Sequence, residues 1–574
     1  MSTNGKRSVV VIGGGPAGST AALCLRKLGH EVTIYERFAF PRYRIGESLL
    51  PGTCAILMRL GLADKIAAAN FPKKRAATFL WGGDRAPWSF TFATPKTAPW
   101  VFDHAYQVTR AEYDKILLDT AAERGTKVHQ ETEVTDIQLG AEGEPVQVTW
   151  KNATGEGRLE ADWVIDASGS RGMLAQRLHL RKYDEYYRNM AVWSYFKGGK
   201  RFTGELEGNI FSVTWKEGWM WIIPLKDDTY SVGLVTGVES NARIRDIGAD
   251  AFYHEAIQSS PLAMEILGTA TQCDEVRMLR EWSYESKQLS VGPAFLCGDA
   301  GCFIDPLFSS GVHLATYSAM LAAAAIDHLS QHPEDDTAVR AWYDSAYRSA
   351  YLRYHRFVAG FYACNEEADS KFWSARKIQG AEDQRFDGKE WFAALSGQNI
   401  EAGAAGVDEI EAGAAALAEL WQHSTKELSD DYNGAELFPR RVQWAIKLLE
   451  DFNRMTQLRW QGKEVRLAPS FKVHTTGFYL ERQFFLGDET GRTMTSYAVN
   501  EAQHALFASL LTRPMSYKEL EVRLKETGGQ GTAFQLVNKL HEDGMLCGYD
   551  ADGKLVRIRQ ILRFGGVGAE DDIS

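Results

Sequence analysis

A glycine-rich turn between an apolar run and a helical pattern constrains this chain more than any other stretch. The run Val9–Ile12 leads into the pattern GxGxxG, and a second apolar run, Glu31–Tyr35, ends in an acid 18 residues after the last glycine. In a βαβ unit the glycines permit a tight turn, a close approach to a pyrophosphate and close helix–strand packing, while the acid accepts hydrogen bonds from a ribose. This register favours a dinucleotide site over an ordinary glycine-rich turn. The residues assigned to it are Gly13, Gly15, Pro16, Ala17, Gly18 and Glu36.

Length, charge and cysteine content exclude several other classes of protein. A chain of 574 residues predicts two or three domains. The net charge of −11 gives no electrostatic support for a nucleic-acid partner. Seven scattered cysteines without a CxxC pair indicate neither a metal site nor a disulfide framework. With no signal-peptide pattern and no long apolar run, the sequence predicts a cytoplasmic protein without a membrane segment.

Two segments next to helix starts have structural as well as functional interpretations. Glu47 and Ser48 close a loop and could simply cap the helix that follows. Thr109 could cap the helix that begins at Arg110, with Glu112 completing a capping box. Both interpretations are compatible with a role for these residues at a bound dinucleotide.

Two further motifs are ambiguous from their residues alone. Lys73 and Lys74 precede a strand-like run, and on a surface strand both would be solvated. The motif WMWIIP over 219–224 predicts a strand with two indoles on one face and a proline stop, and such indoles could be core. Tyr354, in an aromatic helical region over 335–362, is either core or the lining of a substrate passage.

Together these motifs resemble the FAD-binding fold of the p-hydroxybenzoate hydroxylase type, and within it the flavin-dependent halogenases. The resemblance depends on GxGxxG followed by Gly-Glu-Ser at 46–48, on QVTRAEYD at 107–114 and on the W-x-W-x-I-P motif. It extends over nearly the whole chain, through YRNMAVWSYFK at 187–197 to the closing RFGGVG, and is greatest to the halogenases of chloramphenicol biosynthesis. It implies an α/β (α+β) fold: a Rossmann-like FAD domain, an antiparallel substrate-side sheet over 189–234, and a mostly helical C-terminal domain.

The resemblance also implies roles for individual residues. Lys74, five residues before Phe79 of the Phe-x-Trp-Gly strand, is the expected catalytic lysine, with Ser309 near it. Trp219 and Trp221 are expected to separate flavin from substrate. At the start of the helix over 312–328, the backbone N–H groups of Ser310 and Gly311 are the expected chloride ligands. Further implied FAD contacts are Arg44, Glu47, Ser48, Arg110, Asp299, Pro306, Gly311 and Glu281, the last standing where a relative's aspartate is tethered to FAD. His313, in the same helix, is expected to be a packed residue rather than a catalyst.

The implied reaction is that of a two-component halogenase. A separate flavin reductase supplies reduced FAD, because the chain has a single dinucleotide motif, and oxygen converts the flavin to a C4a-hydroperoxide. Chloride then yields hypochlorous acid, which Lys74 either hydrogen-bonds as an ammonium or takes up as a chloramine. The expected acceptor is an electron-rich carbon, in an acyl group on a carrier protein or in a phenol or pyrrole. A directly hydroxylating flavin monooxygenase and a non-catalytic flavoprotein with a regulatory module remain alternatives.

The domain organisation predicted is a FAD domain over 1–370 and a C-terminal domain over 371–574. A near repeat over 401–420 predicts a loosely helical connection. Three helices and two short strands over about 500–560 predict a winged-helix-like module. Its eight basic and eight acidic residues between 501 and 560 cancel, which disfavours DNA binding. Its expected role is to close the active site, to dock a macromolecular substrate, or to serve as a structural appendage.

Overall fold

The structure is a computed structural model that describes residues 5–81, 87–92, 102–140, 144–363, 450–474, 477–494, 497–529 and 532–557. The described residues up to 363, together with 474 and 477–479, form one compact unit, and the other described residues from 450 onward form a second. The predicted helical connection at 401–420 and the closing RFGGVG lie outside the described residues.

The strands of the first unit are short at the cofactor end and long in the central sheet. In chain order they are β1 Ser8–Ile12, β2 Glu31–Tyr35, β3 Lys73–Lys74, β4 Ala76–Leu80, β5 Trp88–Thr91, β6 Ala105–Tyr106, β7 Lys127–His129, β8 Glu133–Gln138, β9 Val146–Asn152, β10 Gly155–Ala161, β11 Trp163–Asp166, β12 Arg181–Lys197, β13 Ile210–Trp215, β14 Gly218–Pro224, β15 Thr229–Gly237, β16 Thr271–Gln272, β17 Arg277–Ser286, β18 Ser290–Val291 and β19 Ala294–Leu296. Its helices are α1 Pro16–Lys27, α2 Pro51–Arg59, α3 Ala63–Ala68, α4 Arg110–Glu123, α5 Met173–Arg177, α6 Asn241–Ile247, α7 Ala249–Ser259, α8 Pro261–Leu267, α9 Gly311–Gln331 and α10 Asp336–Ala363.

A six-stranded sheet in the order β18-β19-β11-β1-β2-β7 gathers the cofactor motifs at one edge. Its strands pair in parallel except for β18, and the β-branched run of β1 is buried between β2 and β11. The carboxyl ends of parallel strands lie at the same edge. The turns after β1, β2 and β19, which carry Gly13, Glu36 and Asp299, therefore lie at that edge.

An eight-stranded sheet in the order β16-β12-β15-β14-β13-β4-β5, with β17 also beside β12, forms the second layer. Its pairs are antiparallel apart from β13 with β4, so the predicted antiparallel sheet over 189–234 is confirmed. Along β14, Met220 and Ile222 belong to the core cluster that includes residues of α6 to α8. Since side chains alternate across a strand, Trp219 and Trp221 lie on the opposite face.

Two helix starts differ from the capping predictions. The N-cap of α2 is Leu50, so neither Glu47 nor Ser48 caps this helix. Thr109 is the N-cap of α4 but makes no side-chain cap bond, so the predicted capping box is wrong. Glu47 instead accepts a hydrogen bond from Tyr195 of β12, and Arg110 bonds to Asp114 one turn further along α4.

In the second unit the three predicted helices occur in the predicted order, but three strands that were not predicted precede them. Its strands are β20 Gln457–Trp460, β21 Arg466–Val473, β22 Leu480–Gly487 and β23 Leu546–Tyr549, and its helices are α11 Glu501–Ser509, α12 Tyr517–Glu526 and α13 Ala533–Glu542. A bridge between Tyr549 and Leu555 closes the turn around Asp552-Gly553. The winged-helix assignment stays a prediction. Within the described ranges, no helix has the length and apolarity that a bilayer crossing requires.

Candidate functional site

The glycine turn after β1 has the geometry expected of a phosphate cradle. Gly13 has a φ of +102°, and a Cβ there would lie 2.4 Å from the Ala167 carbonyl oxygen. A Cβ on Gly18 would lie 1.9 Å from the Gly13 carbonyl oxygen, so α1 can approach β1 only without a side chain. A Cβ on Gly15 would meet only the end of the Arg42 side chain, at 3.2 Å. The space in front of Gly15 is thus open, except for one guanidinium.

Glu36 and Arg42 shape the entrance to this cradle. The buried Glu36 carboxylate accepts hydrogen bonds from Gly14 N at 2.8 Å and Phe38 N at 2.9 Å. Arg42 Nη1 donates to Asp114 Oδ2 at 3.0 Å. Arg44, the arginine assigned from sequence, donates to the neighbouring Tyr43 carbonyl at 3.3 Å instead. The structure therefore places Arg42 beside Gly15, where a guanidinium can pair with a pyrophosphate.

A second charged group lies at the carboxyl end of β19. Burial raises the pKa of Asp299 to about 6, although Arg110 and Arg181 act in the opposite direction. Arg110 is held in place by two hydrogen bonds to Asp114, of 2.8 and 2.9 Å, and by one to the Ile45 carbonyl of 2.7 Å. Two arginines thus face one partly buried carboxylate, an arrangement suited to polar groups of a ligand.

Several buried polar atoms around this edge fit FAD. Ser48 Oγ, Arg42 Nε and Arg181 Nη2 are buried and have no hydrogen-bond partner in the described part of the chain. Leaving such atoms unsatisfied costs about 1–3 kcal/mol each, so a polar ligand is expected to contact them. With the open glycine cradle, these residues fit a dinucleotide with a polar linker, as FAD is.

Lys74 lies in a buried position close to the first turn of α9. Its side chain is 1% exposed, whereas Lys73, which points to the other side of β3, is exposed. Lys74 Nζ donates to the Leu49 carbonyl at 3.1 Å and lies 3.4 Å from Ser309 Oγ. Burial lowers the pKa of Lys74 from 10.5 to about 7. A neutral amine is therefore accessible to this group near physiological pH.

The start of α9 supplies the other half of this site. Ser309 has a φ of +59° and ends a 3-10 turn over Pro306–Phe308, and Ser310 is the N-cap of α9. The first helix-closing bond runs from Leu314 N to the Ser310 carbonyl, so the N–H groups before it have no acceptor within the helix. Such N–H groups, together with the helix dipole, are suited to binding an anion. The structure thus brings together Lys74, Ser309 and the predicted chloride ligands Ser310 and Gly311.

The two indoles of β14 are held by different hydrogen bonds. Trp219 Nε1 donates to Tyr362 Oη at 2.5 Å, and Tyr362 in turn donates to Asp305 Oδ2 at 3.0 Å. Trp221 Nε1 donates to Ser231 Oγ at 3.2 Å. The indole centroids are 6.1 Å apart, and both side chains are buried. The pair therefore forms a fixed wall rather than a loose aromatic cluster.

Replacing Tyr362 by Phe should destabilise this wall. Trp219 would lose its acceptor and Asp305 one of its donors, all in a buried network that also includes Asn189 Nδ2 at 2.6 Å from Asp305. We expect the free energy of unfolding to fall by about 1–3 kcal/mol. Urea unfolding measures this, with Tyr351→Phe, a buried tyrosine of α10 outside the network, as control. Equal stability of the two variants would contradict the prediction.

Glu47 is buried beneath the cofactor edge among aromatic hydroxyls. Tyr195 donates to Glu47 Oε1 at 2.6 Å and also lies 3.0 Å from the Tyr43 hydroxyl. Burial raises the pKa of Glu47 to about 7, although the Tyr195 hydrogen bond acts in the opposite direction. Glu47 is thus a group that can carry a proton close to the predicted flavin.

The remaining predicted residues are placed as follows. Tyr354 is buried on α10, with its ring 6.2 Å from that of His313. Pro306 opens the 3-10 turn, and Pro16 and Ala17 form the first turn of α1. The backbone of Glu281 lies opposite Asn189 in the β12–β17 pair, and its side chain lies outside what the structure describes.

Some site residues were not found from the sequence. Arg42 lies two positions before Arg44, which was assigned from the sequence. No local sequence feature shows which of two arginines in one loop contacts the cofactor. Tyr362, Asp305 and Asn189 form their network across as many as 173 residues of chain. Only Asp305 carried a signal, since it opens the Asp-Pro segment before α9.

The chain is similar to known proteins over most of its length. The tryptophan halogenase family model matches residues 8–102 and 93–394, and the model of the C-terminal domain of the chloramphenicol halogenase CmlS matches 444–561. The crystal structure of CmlS, a flavin-dependent halogenase, is similar with a TM-score of 0.76 and 47% identity, covering 98% of this chain and 100% of CmlS.

Two curated relatives are halogenases named for their acceptors, tryptophan and sulochrin. The chain is 38% identical to a tryptophan 2-halogenase of Chondromyces crocatus over 64% of its own length and 70% of the relative. It is 35% identical to a sulochrin halogenase of Aspergillus terreus over 62% of its length and 69% of the relative. Both similarities concern a part of the chain, whereas the similarity to CmlS covers nearly all of it.

Proposed function

Since the chain belongs to the tryptophan halogenase family and is a flavin-dependent halogenase, we propose that it chlorinates an electron-rich carbon of an acyl group presented by a carrier protein. The observation that supports the chlorination site is the buried Lys74 amine, 3.4 Å from Ser309 Oγ at the start of α9. The acyl acceptor is inferred from the similarity to CmlS, which includes its C-terminal domain. A phenol or pyrrole acceptor is the alternative.

In this proposal the cofactor edge of the parallel sheet holds FAD. The open face of Gly15 and the Arg42 guanidinium take the pyrophosphate, Glu36 the ribose, and Arg110 with Asp299 the ribityl region. When bound, reduced FAD with oxygen supplies the two-electron oxidant that converts chloride to hypochlorous acid. A separate flavin reductase provides the electrons, since a single dinucleotide motif is present. Glu281 is the candidate for a covalent tether.

The chain's own residues then control chloride and oxidant. The unpaired N–H groups of Ser310 and Gly311, with the dipole of the 21-residue helix α9, hold chloride. Trp219 and Trp221 exclude the organic acceptor from the flavin side, so that oxygen is not transferred to it directly. Lys74 holds the chlorinating species on the acceptor side. The polar groups that its amine contacts, the Leu49 carbonyl and the Ser309 hydroxyl, are neutral.

Neutral partners favour the amine form of Lys74. An ammonium would need to be stabilised by a carboxylate or several acceptors, and burial has already lowered the pKa of Lys74 to about 7. A neutral amine attacks the chlorine of hypochlorous acid, which gives a chloramine and water. We therefore infer the chloramine route in preference to hydrogen bonding by an ammonium.

The test requires no knowledge of the acceptor. Purified protein is supplied with FAD, a flavin reductase, NADH, oxygen and either chloride or nitrate, and taurine chloramine is measured with taurine as the trap. We expect chloride-dependent taurine chloramine above a control that contains reductase alone. Hydrogen peroxide without any chloramine, both with and without an added acetoacetyl thioester, would contradict the proposal. A hydroxylated thioester formed without chloride would establish a monooxygenase instead.

A further inference from the structure

The first turn of α9 carries two buried polar side chains that the proposed chlorination does not use. Ser310 is 1% exposed and His313 is 5% exposed. Neither Ser310 Oγ nor His313 Nδ1 has a hydrogen-bond partner among the described residues. Residues three apart on a helix share a face, so both side chains lie on one side of α9. Two unsatisfied groups on one buried face indicate a place for a polar ligand.

This face adjoins the lysine site. Ser309, next to Ser310, lies 3.4 Å from Lys74 Nζ. The His313 ring is 6.2 Å from the ring of Tyr354 and 6.0 Å from that of Tyr317. One turn further along α10, Phe357 packs on Phe308 with ring centroids 4.4 Å apart. The start of α9 therefore lies beside Lys74 at Ser309 and beside α10 at His313, next to Tyr354.

His313 is a neutral imidazole in this position. Burial and, to a smaller extent, the charge of Arg353 lower the pKa of His313 to about 4. The partial positive charge at the helix N-terminus also disfavours a second proton. A neutral imidazole has one N–H donor and one acceptor nitrogen. The acceptor nitrogen of such a ring can accept a hydrogen bond from an enol or phenol O–H.

We propose that His313 hydrogen-bonds the oxygen of the acceptor's activating group, an enol or phenol oxygen, and so holds the carbon beside it toward Lys74. This inference rests on the proposed function, because it needs an acceptor whose carbon is activated by oxygen. In this hydrogen bond the enol or phenol O–H donates to the acceptor nitrogen of the imidazole, which orients the acceptor and raises the electron density at the carbon. His313 takes no part in forming hypochlorous acid. It is thus a residue that determines which acceptors are chlorinated.

The test is a competition between acceptors with and without an oxygen. FAD-loaded protein, with reductase, NADH and chloride, receives phloroglucinol and N,N-dimethylaniline together, and excess methionine removes hypochlorous acid that escapes. His313→Leu removes both ring nitrogens, His313→Gln keeps a donor and an acceptor, and Tyr317→Phe is the control on the same helix. We expect the ratio of chlorinated phloroglucinol to chlorinated dimethylaniline to fall about tenfold in His313→Leu, the effect of one hydrogen bond. It should recover in part in His313→Gln and stay at the wild-type value in Tyr317→Phe.

A binding measurement completes the test. Calorimetric titration of phloroglucinol should give an affinity about tenfold weaker for His313→Leu than for the wild type or Tyr317→Phe. The competition is then repeated with an acetoacetyl thioester in place of phloroglucinol. The acceptor whose product ratio falls more in His313→Leu, the enol or the phenol, is the preferred source of the oxygen. An unchanged ratio, equal loss of both products, or loss of bound FAD from His313→Leu would overturn the inference. Failure of the proposed function is distinct, since the wild type would then form no taurine chloramine.

Discussion

Replacing Lys74 by Met should abolish chlorination while the bound flavin and the consumption of oxygen stay at wild-type levels. Lys74 Nζ contacts the Leu49 carbonyl and Ser309, and neither atom belongs to the glycine cradle. Methionine fills the same buried space without an amine. We expect chlorinated product to fall at least ~100-fold, as for the loss of one catalytic group. Product, flavin absorbance and oxygen uptake are measured in parallel. Normal chlorination by the variant would refute the role of Lys74.

The stability of the same variant shows whether Lys74 is buried as the structure has it. Its pKa is 10.5 when exposed and about 7 in the folded protein. Between these values the unfolded chain holds more protons, so the stability of the wild type rises with pH in that window. Lys74→Met should therefore be more stable than the wild type, most of all below pH 7, and the gain should shrink as the pH approaches 10.5. Lys73→Met, at the exposed neighbouring position of the same strand, is the control for the substitution itself.

The pH profile of the wild type separates the two chemical roles of Lys74. If the amine forms a chloramine, the yield of chlorinated acceptor per hypochlorous acid formed should rise as the pH increases through about 7. If an ammonium polarises hypochlorous acid, the yield should fall over the same range. The proposal predicts the rise. The taurine chloramine formed by Lys74→Met measures the hypochlorous acid made at each pH. Dividing the yield of chlorinated acceptor by this amount removes the pH dependence of the steps that precede Lys74.

Local patterns in the sequence were sufficient to predict those parts of the site whose positions depend on a single strand, turn or helix start. The glycine cradle could be predicted because two of its glycines meet a backbone requirement: a Cβ at Gly13 or Gly18 would lie within 2.4 Å of a carbonyl oxygen. The start of α9 could be predicted from the breaks at Pro306 and Gly311. The choice of Lys74 over Lys73 came from the family motif, since alternation along two residues shows only that the two point to opposite sides.

Contacts between distant parts of the chain could not be predicted in the same way. The side chain of an arginine in a loop has no periodic direction, so Arg42 and Arg44 could not be distinguished before their partners were placed. The two capping predictions failed in different ways: Leu50 rather than Ser48 is the N-cap of α2, whereas α4 does begin after Thr109 but without a side-chain cap bond. His313 has the same apolar helical neighbours as any packed residue. Only its unsatisfied nitrogen, which depends on what surrounds it, distinguishes it.

Replacing Gly15 by Val should remove FAD from a chain that otherwise stays folded. Gly15 is the N-cap of α1, with a φ of −73° and a ψ of −171°, a conformation that any residue can adopt. A Cβ there would meet only the mobile end of Arg42, at 3.2 Å. The added methyl groups would fill the space into which the pyrophosphate fits. We expect the affinity for FAD to fall at least ~100-fold, about 2.7 kcal/mol, with little change in the thermal stability of the flavin-free protein.

Gly18→Ala is the matched variant, because it separates the cradle's shape from its packing. Its Cβ would lie 1.9 Å from the Gly13 carbonyl oxygen and 3.1 Å from Val11 Cγ1, so α1 must move away from β1. The flavin-free form of Gly18→Ala should therefore unfold at a lower temperature than that of Gly15→Val, although both lose FAD. Flavin absorbance after gel filtration and thermal unfolding of both flavin-free proteins measure the difference. If Gly15→Val kept its flavin, the pyrophosphate could not lie in front of Gly15, and the cofactor edge would have to be assigned anew from Arg42 and Arg110.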